Sequence, residues 1–296
     1  MAEAKPIKSS IRKQRSRAAW LMVSPYLLHF SIFVLFPIIF SVWLTFHKWN
    51  IISPMKWTGF DNYIHILEDR TFFKALLNTL LFLSVHIPLQ VTGSLLLAVL
   101  LVDQRWFSGF FRSVFFMPVV ISGVVITIMW QQLFGLETGI LNRLLTAMSL
   151  SRVAWLSDPD VAIFSIAAMA TWKNMGLYVI LFLTGIQQVP VTYYEAAQME
   201  GAGKWQQFRH ITLPAIRPTV FMVFILSTVG GFSLFIEPYI MTDGGPLQST
   251  VSAILYIYKQ AFVHYHMGYA ATLGLFFAGI VMSVVALQKK VFEQDE

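Results

Sequence analysis

The chain has 296 residues, of which 56% are hydrophobic and 12% charged, with 21 Lys plus Arg against 15 Asp plus Glu, and its mean hydropathy is +0.65. Soluble domains carry about 25% charged residues, so the apolar excess here must meet lipid, and an integral membrane protein follows. The same balance excludes a disordered chain and a nucleic-acid-binding domain, and zero cysteines exclude a disulfide scaffold, thiol catalysis and a Cys-ligated metal. The net charge of +6 is therefore read first as membrane topology.

A helix needs about 20 apolar residues to cross the hydrocarbon layer. Six stretches qualify: 20–46, 75–102, 113–136, 161–187, 218–242 and 267–288. These runs are too long for barrel strands and lack period-two alternation. The predicted fold is all-α, one six-helix membrane domain over 20–288, with a basic cytoplasmic tail at 1–19 and a second cytoplasmic tail at 289–296. The first span follows Lys5, Lys8, Arg12, Lys13, Arg15 and Arg17. It is too long for a signal-peptide core and no small-residue cleavage site follows, so it stays as a helix. Cationic flanks are held inside. With both termini inside, the inner side has those six residues with Arg105, Arg112, Lys204, Arg209, Arg217, Lys289 and Lys290; the outer side has Lys48, Lys56, Arg70, Lys74, Arg143, Arg152 and Lys259. The bias supports that orientation. Pro25, Pro37, Pro88 and Pro118 lie inside spans, where they kink helices for packing. The outer segment 47–71 carries Trp49, Trp57, Phe60 and Tyr63, a mixture suited to the membrane interface.

The inner connection 188–217 is the most patterned part of the chain. Pro190 stops the preceding helix, and Thr192-Tyr193-Tyr194-Glu195 has the form of a capping box at the start of a short one. Gly201 and Gly203 can take the positive torsions that end it. A second short helix over 204–210 leads to Pro214, which is expected to break it. A helix, a glycine elbow and a helix result, with Ala196 and Ala197 as a small flat surface. Such a unit either lies on the headgroups or enters a groove on another protein.

Glu195, Ala196, Ala197, Gly201, Ile211, Leu213 and Pro214 reproduce the pattern EAA-x3-G-x9-I-x-L-P. The chain thereby resembles membrane subunits of binding-protein-dependent ABC importers, in which this segment is the coupling helix seated in a cleft of a cytoplasmic ATPase subunit. Gly59-Phe60-Asp61-Asn62-Tyr63, Asn78-Thr79-Leu80, Asp243-Gly244-Gly245-Pro246 and Gly268-Tyr269-Ala270 look like the maltose-transporter type of carbohydrate permease, and like the subunit that pairs with a second, different permease. That permease has an enlarged outer domain and extra N-terminal helices without counterpart here. The resemblance implies a bacterial inner-membrane protein with three partners: a second permease, two copies of an ATPase subunit, and an extracytoplasmic sugar-binding protein. ATP and Mg would be used by the ATPase, with no cofactor in this chain.

Two spans hold one charge each, Lys173 and Glu237. A charge at the middle of a bilayer costs about 2.5–3.5 kcal/mol on insertion scales, so both should face protein or water. At 1.5 Å per residue they lie about 18 Å and about 9 Å from the outer ends of their helices, a gap that long side chains close in part. They either pair as a structural bridge or line a sugar path. Trp172, Lys173 and Asn174 together offer an aromatic face and hydrogen-bonding groups. In the fifth span Ser227, Gly230, Gly231 and Leu234 recur at i, i+3, i+4 and i+7, one face where small residues leave room for a ligand or for close packing. The resemblance places Trp172, Ser227, Gly231 and Leu234 beside the sugar, with Gly231 and Leu234 replacing polar groups.

No phosphate-cradling G-x-x-x-x-G-K-[ST] loop, H-E-x-x-H motif or G-x-S-x-G elbow occurs. The reading is a permease and not an enzyme. His264 and His266 form a pair in an outer loop, too few ligands to argue for a metal. Two rivals remain: a permease of the same fold for another polar solute such as glycerol phosphate, and an ion-coupled transporter, for which a lone Glu237 is thin support.

Overall fold

Three of the membrane-spanning prolines predicted to kink helices sit inside helices that continue past them, and the local sequence shows how. In the computed structural model, which describes residues 7–102 and 108–293, helix α1 (Ile7–Phe30) contains Pro25. Proline cannot donate to the carbonyl four residues back; Ser24 Oγ donates to that Leu21 carbonyl at 2.9 Å instead. A π turn, Ser31–Leu35, then leads into α2 (Phe36–Leu44). The wider turn precedes Pro37 and relieves the clash between its ring and the preceding turn. Lys5, Arg105 and 294–296, part of the predicted basic flank and tails, lie outside the described residues.

The chain falls into two compact units, Met1–Leu67 with Gln260–Leu275, and Glu68–Lys259 with Phe276–Glu296. In the first, α2 ends at a feature the all-α expectation missed, a two-stranded antiparallel ribbon of β1 (His47–Lys48) and β2 (Lys56–Trp57). Four residues are too short to announce themselves by alternation. Helix α3 (Asp61–Glu68) follows, and Asn62 Nδ2 donates to the Thr45 and His47 carbonyls at 2.7 and 3.1 Å. The first turns of α15 (Met267–Glu293) pack onto β1. A Cβ on Gly268 would lie 1.8 Å from the His47 carbonyl oxygen, so only glycine fits there.

The second unit holds α4 (Arg70–Val102), α5 (Ser108–Val120), α6 (Gly123–Leu133), α7 (Ile140–Ala147), α8 (Ala162–Gln187), α9 (Val191–Met199), α10 (Lys204–Gln207), α11 (Leu213–Ala215), α12 (Arg217–Phe232), α13 (Ile236–Met241) and α14 (Ala253–Tyr258), with the remainder of α15. Its core runs along α8, where Val179, Phe182, Leu183 and Ile186 pack with Ala98, Ile216 and Val223. Among the described residues α4 and α8 make the most extensive helix pair. Gly176 lets α5 approach: a Cβ there would lie 2.0 Å from the Phe115 carbonyl oxygen. Small residues at helix crossings give membrane helices this closeness.

Among the described residues five helices are long and apolar enough to cross a membrane, six if α5 and α6 count as one. The predicted third span, 113–136, is not straight. It bends by 106° between Val120 and Gly123, where Ser122 leaves helical geometry at φ −50, ψ 127. The predicted fifth span, 218–242, is also broken, since α12 ends at Phe232 and α13 starts at Ile236. Pro238 cannot donate to the Leu234 carbonyl, which instead accepts from Ser252 Oγ at 2.6 Å. α4 begins at Arg70, earlier than the predicted 75, and its first turns clamp the loop containing Asp243-Gly244-Gly245-Pro246. Asn78 Nδ2 donates to the Gln248 and Val251 carbonyls at 2.8 and 3.0 Å.

Candidate functional site

Two places in the second unit gather the residues of interest. The first is the connection between α8 and α12. α9 starts at Val191, with Pro190 in the N-cap position and no side-chain cap. The predicted capping box at Thr192 and Glu195 is therefore not formed, because proline's fixed torsion starts the helix earlier and needs no donor of its own. The end of α9 follows expectation: Gly201 takes φ +81. The Ala202 N–H donates to the Ala197 carbonyl at 2.9 Å and the Gly201 N–H to Gln198 at 3.0 Å, the paired bonds of a Schellman ending. Gly203, at φ −71, needs no positive torsion. Its N–H donates to Gln206 Oε1 at 2.8 Å, and Gln207 Nε2 donates to the Ala202 carbonyl at 2.8 Å. α10 passes through a π turn, Phe208–Thr212, into α11. Pro214 does not break the helix, since the widened turn before it takes up its ring; the break falls at Ile216, φ −92, ψ 7.

These bonds make the connection stiff, and two anchors tie it down. Tyr194 Oη lies 2.9 Å from Thr212 Oγ1, and Tyr194 and Ile211 pack against the core that holds Ile216 and Val189. Glu195, Ala196 and Gly201 are exposed, Ala197 half-buried. Met199, 90% exposed, and Trp205, 69% exposed, turn apolar surface outward on the same connection.

The second place is a cavity of about 240 Å³ lined by α4, α8, α12 and α13. Its charged residues are Lys173 and Glu237, whose Nζ and Oε1 are bonded to each other. Around them stand Asn174, Tyr178, His86, Phe82, Ser233, Ile236, Gly230, Gly231 and Leu234. Lys173 Nζ is close to the start of α6, because a Cβ on Gly123 would lie 3.7 Å from it. His86 Nδ1 is 2.8 Å from Thr171 Oγ1, and the ring stacks on Phe82 at 4.9 Å. A turn along α4, the Gln90 amide faces the Thr171 carbonyl at 3.2 Å and the Met175 N–H at 3.3 Å.

The structure thus brings Lys173, Asn174, Gly231, Leu234 and Glu237 to one cavity, and leaves two predicted residues off its lining. Trp172 points elsewhere, 44% exposed, and meets Trp130 at 5.3 Å. Ser227 is fully buried, and its hydroxyl has no partner. The predicted helical face Ser227, Gly230, Gly231, Leu234 ends early, because α12 stops before Leu234. Gly231 serves close packing as well: a Cβ there would lie 2.5 Å from Leu83 Cδ2. Sequence reasoning missed Phe82, His86 and Tyr178, which carry no charge or spacing that marks them. In the loop before α15 in the first unit, His266 Nδ1 lies 3.0 Å from Gln260 Oε1. Partial burial, with His264, Lys48 and His65 nearby, holds His266 below the usual imidazole range.

Long apolar helices, an exposed connector and a polar cavity at helix breaks suit a membrane permease. The chain belongs to the family of binding-protein-dependent transport system inner membrane components, whose pattern matches residues 72–292. It is a transport protein of the ABC type, located in the membrane, and not an enzyme. It is 38% identical over 281 residues to YurN, a probable ABC transporter permease of Bacillus subtilis, covering 92% of this chain and 96% of that one. It is 34% identical over 260 residues to LacF, a lactose transport system permease of Rhizobium radiobacter, covering 86% and 87%. Its fold matches a chain of a bacterial ABC transporter involved in the import of the acidic polysaccharide alginate, with a TM-score of 0.83 at 23% identity over 95% of this chain and 96% of that one.

Proposed function

We propose that this chain is one of two different permease subunits of an ATP-driven sugar importer, driven through its α8–α12 connector. The connector would be the coupling element, with Glu195, Ala196, Ala197 and Gly201 meeting a cytoplasmic ATPase subunit and Ile211, Leu213 and Pro214 passing the motion to α12. The observation that carries this reading is a pattern-bearing helix that is both rigid and open. Its ends are fixed by the Schellman bonds and by Tyr194 against Thr212, while Glu195 and Ala196 face outward. A rigid lever transmits displacement where a floppy loop absorbs it.

The sugar assignment is supported by the relatives, among them the lactose permease and the arabinooligosaccharide permease AraP of Bacillus subtilis, 31% identical over 280 residues. In this scheme the chain crosses the membrane six times with both termini in the cytoplasm. A loaded binding protein docks outside, and ATP and Mg act on the ATPase pair. The cavity at Lys173 and Glu237, with Asn174, Gly231 and Leu234, forms this subunit's part of the path; Trp172 and Ser227 would join it only after rearrangement.

The absence of native cysteine gives a clean test. Ala196→Cys in the permease pair without its ATPase subunits should react with maleimide added to inverted vesicles, lose that reactivity in the complete importer, and cross-link there to a cysteine placed in the ATPase. Labelling by an impermeant maleimide from the outer side would overturn both the orientation and the coupling role.

A further inference from the structure

The cavity contains two formal charges, and each is bonded to the other. Among the described residues its lining has no further Asp, Glu, Lys or Arg. Both side chains are largely withdrawn from solvent, Lys173 at 15% and Glu237 at 8% relative exposure. A paired charge and an unpaired one behave differently in such a place, because removing one partner of a buried pair leaves the other uncompensated.

An anionic solute that took Lys173 as its counter-ion in place of Glu237 would strand a carboxylate in the same cavity. It would also bring its own negative charge beside that carboxylate. A neutral sugar faces neither cost. The ammonium has three donors and the carboxylate about four acceptor positions, so hydroxyls can bond to both groups while the pair persists. Asn174, Ser233 and Tyr178 add neutral donors and acceptors, and Phe82 adds an aromatic face.

A second observation points the same way. Lys173 Nζ sits beside the start of α6, an 11-residue helix whose first N–H groups carry partial positive charge. Without the carboxylate, the cavity would hold an unpaired ammonium standing beside a helix N-terminus. Glu237 therefore masks what would otherwise be an anion site.

We propose that the Lys173–Glu237 pair is a charge filter: it admits uncharged saccharides and refuses anionic ones, with Glu237 as the residue that sets the refusal. This inference rests on the sugar-permease reading. It separates that reading from the same-fold rival, a permease for a phosphorylated solute, by the state of the cavity lysine.

The test uses the complete importer, with both permeases and the ATPase pair, purified in detergent, and equilibrium dialysis of labelled probes. The probes are maltose, lactose, cellobiose, trehalose and melibiose, each beside its C6-oxidised uronate. The wild type should bind at least one neutral disaccharide and bind its uronate at least tenfold more weakly. Glu237→Gln should raise uronate affinity at least tenfold, in a salt-sensitive manner, and adding Lys173→Met should abolish that gain. Should Glu237→Gln fail to assemble, the exchanged pair Lys173→Glu with Glu237→Lys decides the matter, since it keeps a bonded pair and must keep the refusal. Equal binding of sugar and uronate by the wild type, no gain in Glu237→Gln, or uronate binding by the exchanged pair each overturns the filter and leaves the sugar reading standing. A wild type that binds none of the ten probes overturns the sugar reading as well.

Discussion

The connector around α9 and the cavity around Lys173 use glycine, polar groups and exposure in opposite ways. In the connector Gly201 is required by its torsion: φ is +81, and nothing lies within 4 Å of where a Cβ would be. In the membrane region Gly176 and Gly231 have ordinary helical torsions and are required by space, since a Cβ would stand 2.0 and 2.5 Å from neighbouring atoms. The polar groups divide likewise. The connector keeps its acidic residues, Glu195 and Glu200, at the surface, while the cavity ties Glu237 to Lys173 and His86 to Thr171. One region leaves its charged chemistry exposed; the other satisfies its own groups internally.

This contrast predicts unequal responses to the same kind of change. Gly176→Ala should be the most damaging, because the Phe115 backbone cannot swing aside as a side chain could. Overpacking of this kind costs about 1–3 kcal/mol and more when backbone is in the way. The expected result is a low yield of folded protein and a depressed Tm in detergent; a Tm equal to wild type would show that α5 and α8 are not held at this distance. Gly201→Val should cost about 1–2 kcal/mol locally, the penalty for an L-residue in the left-handed region, without disturbing packing. Assembly should persist while ATP hydrolysis continues without sugar uptake. Gly201→Asn, which tolerates that region better, should retain most uptake. Full uptake by the valine variant would refute the lever.

The contrast also explains what could be read from the chain unaided. The connector's pattern is local: Glu195 to Pro214 is one continuous run, its spacing is set by helix and turn geometry, and the elbow at Gly201 was legible from residue type. Its details were not, because Thr192 fits a capping box as well as Pro190 fits an N-cap, and only the backbone path decides. Lys173 and Glu237 stood out because charge is rare in an apolar span, yet their partnership depends on a break in the fifth span at Ser233 and Phe235 that hydropathy does not register. The 106° bend near Ser122 was hidden for the same reason: the hydropathy of a stretch of about 20 residues smooths over two of them. Phe82, His86 and Tyr178 join the cavity through the packing of α4 on α8, a long-range fact with no local signature.

Smaller effects sharpen the comparison further. Ser227 is fully buried with an unbonded hydroxyl, whereas the resemblance to sugar permeases implies a contact with substrate. If it is a packing residue, Ser227→Ala should be neutral or stabilise by up to about 1 kcal/mol, since an unsatisfied buried group is removed, and uptake should be unchanged. A raised KM for sugar at unaltered Tm would instead show that the hydroxyl reaches the path during transport.

The smallest expected effect falls on Thr192, and it is informative because sequence and structure disagree there. A side chain that caps a helix contributes about 1 kcal/mol, which is lost on replacement by alanine. Thr192 is exposed and makes no cap in this structure, as Pro190 holds that position. Thr192→Ala should therefore change stability by less than about 0.5 kcal/mol, as for other surface sites, and leave the coupling of ATP hydrolysis to uptake intact. Gln206→Ala, which removes the acceptor of the Gly203 N–H, should lower coupling measurably under the same conditions. If the two variants exchange these outcomes, the stiffness of the lever comes from the start of α9 rather than from the elbow that follows it.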